Sequence, residues 1–127
     1  MIPITRTASQ ADGTRLRTVE SHGVALVRHD LAMPIGACPV SRNPESGTVT
    51  IEYRPDRVAV EVVSLHDALA WACSGHQDAP RSVEALAMWL CDQLHRACGV
   101  AVRVRLDLQV RPGPQRLAVD AVLPRDA

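Results

Sequence analysis

Apolar and polar positions change rhythm several times along the chain. Thr48-Val49-Thr50-Ile51-Glu52-Tyr53 alternates with period two, the pattern of a strand with one buried face. Arg54-Pro55-Asp56-Arg57 places Pro and Asp where a type I turn wants them, and the Val-rich Val58-Ala59-Val60-Glu61-Val62-Val63 reads as the return strand. The pair is expected to form a hairpin. Upstream, Gly23 to Leu31 holds the apolar run Val24-Ala25-Leu26-Val27, another expected strand. Residues 32–47 carry Pro34, Gly36, Pro39, Pro44 and Gly47 and read as loop.

After the hairpin the period becomes helical. Ser64 is placed as an N-cap with Asp67 three residues on, opening a short helix over about 65–73 that Ser74-Gly75 ends. His76 to Arg81 links it to the next. Val83, Leu86, Ala87, Leu90, Cys91, Leu94 and Ala97 then recur at three- and four-residue steps, one apolar stripe. Asp78 or Ser82 can cap its start, and Gly99 is placed to end it in the left-handed conformation. Val100 to Val110 alternates strictly, Arg111-Pro112-Gly113-Pro114-Gln115 turns the chain, and Leu117 to Leu123 gives a last strand.

The order is strand, strand, helix, helix, strand, strand. It predicts an α+β fold: a four-stranded antiparallel sheet with both helices on its one apolar face. Residues 1–22 are polar and weakly patterned, so a flexible N-terminal arm is expected, with 23–127 as a single domain. Two unpaired sheet edges predict that copies of the chain join edge to edge as a homo-oligomer.

Composition narrows the function classes. The chain has 127 residues, 46% hydrophobic, with no Phe, one Tyr and two Trp, so its core is built from Val, Leu and Ala. All fourteen basic residues are Arg, and the formal net charge is zero. That argues against a nucleic-acid binder relying on a broad positive surface. No apolar run approaches the roughly 20 residues of a membrane span, and Met1 to Gln10 lacks the apolar core of a signal peptide. Four cysteines without such a signal predict reduced thiols in the cytoplasm.

The candidate chemistry lies in the proline-rich loop. Cys38 and Glu45 stand seven residues apart, with Pro39 and Pro44 between them. A thiol with a nearby acid suits nucleophilic catalysis with proton transfer, although a plain loop cysteine and a solvated acid fit the same residues. Cys91 fits the apolar stripe, and Cys98 near the same helix's end is expected to be structural. Cys73 and His76 have a Cys-x-x-His spacing, but two further ligands or a water would be needed and no metal is expected.

Cys38-Pro39-Val40-Ser41-Arg42-Asn43-Pro44-Glu45, followed by a strand ending Tyr53-Arg54-Pro55-Asp56, resembles the short form of the 7-cyano-7-deazaguanine reductases. These are the nitrile reductases of queuosine biosynthesis, within the tunnelling-fold superfamily. The family shows a nucleophilic cysteine, then proline, a Thr or Ser, a Gln-Pro-Asp segment and a strand ending Tyr-x-Pro-Asp. Asn43-Pro44-Glu45 stands where Gln-Pro-Asp would. The resemblance covers roughly residues 24–123. It implies a tunnelling fold whose subunits assemble into a barrel, and a deazapurine substrate held through a thioimide on Cys38. It also implies NADPH-dependent reduction of the nitrile to 7-aminomethyl-7-deazaguanine, with Glu45 or His76 exchanging protons.

Two further family motifs are altered. A Glu-Ser-Lys-Ser-Leu-Lys segment, associated with the nicotinamide cofactor, is matched by Glu61-Val62-Val63-Ser64-Leu65-His66, without either lysine. The resemblance therefore assigns Glu61 to substrate and Ser64, Leu65 and His66 to cofactor. A His-Glu-Asp segment, whose Glu anchors the purine ring, is matched by His76-Gln77-Asp78. Gln77, or Glu84 under a shifted match, is the candidate ring anchor; Glu84 equally fits an acid favoured by the first turn of a helix. Two other readings accompany the reductase. One is an amidinotransferase of the archaeosine type, adding ammonia to a nitrile in tRNA. The other is a non-catalytic purine-binding or assembly paralogue.

Overall fold

The computed structural model describes residues 16–34 and 46–125. Within them lie eight elements: β1 (Thr18–Glu20), β2 (Val27–Ala32), β3 (Ser46–Tyr53), β4 (Val58–Val60), α1 (Val62–Ala72), α2 (Val83–Cys98), β5 (Val102–Val110) and β6 (Gln115–Leu123). The fold is α+β, with a four-stranded antiparallel sheet in the order β2-β3-β5-β6 and a two-stranded sheet of β1 and β4.

Alternation along the strands sorts the large sheet into two faces. Val49, Ile51 and Tyr53 of β3 and Val102, Val104, Leu106 and Leu108 of β5 are buried. They share one core with Leu65, Leu69 and Ala72 of α1 and with Leu86, Leu90, Cys91 and Leu94 of α2. The other face carries Arg28, Asp30, Thr50, Arg103, Arg105, Asp107, Arg116 and Asp120. Its charges pair among themselves: Arg28 with Asp30 at 3.1 Å, Arg103 and Arg105 with Asp120 at 3.3 Å, and Arg116 with Asp107 at 2.6 Å. These pairs stand in high dielectric and orient side chains more than they stabilise the fold.

Three expected elements are corrected. The hairpin of Thr48–Tyr53 with Val58–Val63 does not form. β3 is a central strand whose two edges are occupied by β2 and β5 over six and eight residue pairs, so the short β4 leaves that sheet and pairs with Thr18–Glu20. The stretch expected as a flexible arm thus ends in a strand. Second, β2 begins at Val27; Val24 and Leu26 are exposed, at 49% and 51%. The alternating Val27-Arg28-His29-Asp30-Leu31 fits a pleat, whereas the apolar run before it does not. Third, α1 starts at Val62 and is capped by Glu61, not Ser64.

α2 keeps both of its expected ends. The Ser82 hydroxyl accepts from the Ala85 N–H, and Gly99 at φ 70° closes the helix left-handed. At the start of β3, Gly47 allows a close approach: an added Cβ would lie 2.6 Å from the Asp107 carbonyl of β5. The Gly47 carbonyl also accepts from the Met33 N–H at 2.9 Å, one hydrogen bond beyond the paired residues of β2 and β3. Among the described residues no helix is long and apolar enough to cross a membrane.

Candidate functional site

Cys38 and Glu45 lie outside the described residues. What is described is how their segment is carried: it joins β2 to β3, adjacent antiparallel strands, whose pairing Met33 and Gly47 extend by one hydrogen bond.

The entry to α1 is fixed by Glu61. Its carboxylate accepts from the Val63 and Ser64 N–H groups at 2.6 and 2.9 Å and pairs with Arg17 at 2.8 Å. Donation by the two backbone N–H groups, with the Arg17 charge behind it, holds this carboxyl below its ordinary range. The position is what a helix N-terminus favours: an anion satisfying amides that have no partner within the helix. The Ser64 hydroxyl donates to the Glu61 carbonyl and accepts from the Arg17 N–H, each at 2.9 Å. Ser64 is 2% exposed and Leu65 1% exposed, inside the core.

That geometry decides how the cofactor assignment fits. Glu61 and Ser64 are spent on the helix start, and Leu65 is core. His66 alone is open, with its ring nitrogen 3.5 Å from the Asp67 carboxylate. A carboxylate beside the one exposed donor opposes a phosphate, so these residues do not fit NADPH within the single chain.

His76, Gln77 and Glu84 occupy the other end of the helix pair. His76 follows α1, and its ring lies 5.6 Å from that of Trp71, itself 5.6 Å from Trp89 of α2. Its Nδ1 accepts from the Asp78 N–H at 3.1 Å. Gln77 is exposed on the same loop, and Glu84 is exposed in the first turn of α2. Neither makes a hydrogen bond or ion pair among the described residues, so both are free to meet a ligand and neither is aimed by a partner. Cys73 is 8% exposed, and burial pushes its thiol up to about 11. Among the described residues no cluster of His, Cys, Asp and Glu is arranged to hold a metal ion.

Sequence reasoning missed His29, Arg17 and the contact between Trp71 and Trp89. His29 sits on the core-facing side of β2, its ring stacked 6.2 Å from Tyr53 and its buried Nε2 without a hydrogen-bond partner among the described residues. Burial lowers its proton affinity below the ordinary imidazole value of 6.5, with Asp30 opposing in part. The native state then binds fewer protons than the unfolded chain. Stability is present in full above pH 6.5 and falls as pH drops through the folded-state value. Urea midpoints are expected to decline between pH 7 and 5 in the wild type, and less steeply in His29→Leu. The lone alternating His in β2 was a signal; nothing local marked Arg17.

No family model matches the chain, and no curated protein matches it.

Proposed function

We propose that the chain is a nitrile-processing enzyme of the tunnelling fold that acts on 7-cyano-7-deazaguanine through a thioimide on Cys38. What carries the reading is the setting of the thiol segment. It bridges β2 and β3 of a four-stranded antiparallel sheet backed by two helices; the strands of that sheet and the helices follow one another as strand, strand, helix, helix, strand, strand, the order expected of that fold, while β1 and β4 form a second sheet. The Cys38 sulfur adds to the nitrile carbon, and the C≡N bond becomes C=N as the nitrogen takes a proton from Glu45 or His76. Exposed Gln77 or Glu84 is the ring anchor. Copies of the chain join through β2 and β6, the outer strands of the sheet, in the cytoplasm.

Two fates of the thioimide follow. In reduction to 7-aminomethyl-7-deazaguanine, NADPH is the group that supplies hydride when bound. The second reading is amidine formation. Ammonia adds to the thioimide carbon, the C–S bond breaks, and Cys38 leaves as thiolate, with the nitrile carried on the free base or on tRNA. One observation favours this second fate: Glu61, Ser64 and Leu65 are committed to the start of α1 and to the core, and Val63 and His66 stand where the family motif has lysines.

Intact-mass measurement after mixing the protein with 7-cyano-7-deazaguanine tests the shared step. The expected gain equals the whole nitrile, because addition expels nothing. A mass unchanged across pH 6 to 9 would reject both enzymes and leave the non-catalytic purine-binding paralogue. With the adduct formed, loss of NADPH absorbance identifies the reductase; amidine appearing with ammonia while NADPH persists identifies the transferase.

A further inference from the structure

We propose that Trp71 is a positioning residue for His76: its indole and the loop beneath it hold the imidazole as the Nε2–H tautomer, aimed outward as a hydrogen-bond donor. The inference rests on the reading of His76 as the group that faces the nitrile nitrogen.

The support is a chain of contacts from the last turn of α1. The Trp71 carbonyl accepts from the Ser74 hydroxyl at 2.7 Å and from the Ser74 N–H at 3.0 Å. The same hydroxyl accepts from the His76 N–H at 3.2 Å. Beyond it, the Ala79 N–H donates to the His76 carbonyl at 2.9 Å. Gly75, at φ 82°, makes the reversal this path requires. His76 is therefore held at its backbone on both sides, and its ring lies against the Trp71 indole, tilted by 37° at 5.6 Å, and accepts from the Asp78 N–H.

At Nδ1 the Asp78 N–H stands at 3.1 Å while the Asp78 carboxylate is 3.9 Å away, beyond hydrogen-bond distance, so Nδ1 accepts and the proton of the neutral ring is on Nε2, across the ring and away from the loop. The His76 side chain is 40% exposed, so the other side of the ring meets solvent or ligand.

Trp71 itself argues for a role beyond packing. Its indole N–H is buried with no acceptor among the described residues. A phenylalanine there would bury no orphan donor. A buried donor left unpaired is a cost that packing alone does not explain. Trp89 backs the indole from α2, so the platform does not tilt away from His76.

Long-range nitrogen–proton correlation spectra of the full chain at neutral to alkaline pH read the tautomer directly. The Nε2–H form is expected for His76; the Nδ1–H form would overturn the proposal. Trp71→Leu is expected to mix the tautomers and slow thioimide formation at least about tenfold, part of the roughly hundredfold or greater loss expected for His76→Gln. Trp71→Phe is expected to restore both. If Trp71→Leu does not fold, Ser74→Ala cuts the same chain on the surface and is expected to shift the tautomer and the rate the same way. Unchanged tautomer and rate in the folded variant would overturn the positioning role. A wild type that shows the Nε2–H form but yields no adduct would instead reject the nitrile reading, leaving the held imidazole standing.

Discussion

Cys38→Ala is expected to remove the nitrile adduct entirely, while Cys73→Ala and Cys98→Ala keep it. The contrast rests on the state of the other thiols. A thiol attacks as thiolate, and burial opposes that charge. Cys73 is 8% exposed with its thiol near 11, so about one molecule in a thousand carries the thiolate at pH 8. Cys98 is 7% exposed and also raised by burial. Cys91 is fully buried, and its S–H donates to the Val102 carbonyl at 3.2 Å and reaches toward the Ala121 carbonyl at 3.6 Å. None of the three offers a reachable nucleophile. Intact mass after a fixed incubation is the readout. An adduct that persists in Cys38→Ala and disappears in Cys73→Ala would move the chemistry to the end of α1 and sink the assignment of the loop thiol.

How much of this was legible depended on how local each signal is. α2 was readable throughout: its stripe recurs at helical spacing, Ser82 caps it and Gly99 ends it, all within the helix and its flanks. β5 was equally plain, because Val102 to Val110 alternates without a break. β4 was misassigned because its partner lies about forty residues upstream. Val58-Ala59-Val60 looks the same whether it pairs with β3 or with Thr18–Glu20. The choice is made by β5, which occupies the edge of β3.

The start of α1 failed for a related reason. Ser64 and Asp67 have capping spacing, but Glu61 reaches the free amides first, and Arg17 steadies it from across the fold. Within the candidate site, the sequence offered His76 as a site residue through its resemblance to a family motif. It could not show that Trp71 lies against it, since a tryptophan near the end of a helix reads as core. Ser64 and Leu65 help hold α1 in place, and local similarity does not separate such residues from residues that touch a ligand.

The second large effect concerns the core that supports both ends of the helix pair. Leu90→Ala is expected to destabilise the fold by about 2–5 kcal/mol, out of a total on the order of 5–15 kcal/mol for a domain of this kind. Leu90 is 0% exposed, midway along α2, the helix that packs across β5 and β6. Truncation removes buried methyl groups and leaves a void that the surrounding Val and Leu side chains fill only partly, because the sheet beneath them is fixed by hydrogen bonds on both sides of β5. The urea midpoint is expected to fall with little change in slope, since the surface exposed on unfolding is nearly the same. Val62→Ala is the control: Val62 is 63% exposed in the first turn of α1, and a change within about 0.5 kcal/mol is expected. If the two variants lose equal stability, the core does not lie between α2 and the sheet. Trp89 stands beside Leu90 on α2 and backs Trp71, so a cavity at Leu90 also tests how rigid the platform under His76 is. Under conditions where Leu90→Ala remains folded, the Nε2–H tautomer is expected to persist, because the contacts that set it lie within residues 71–79 and do not pass through the void.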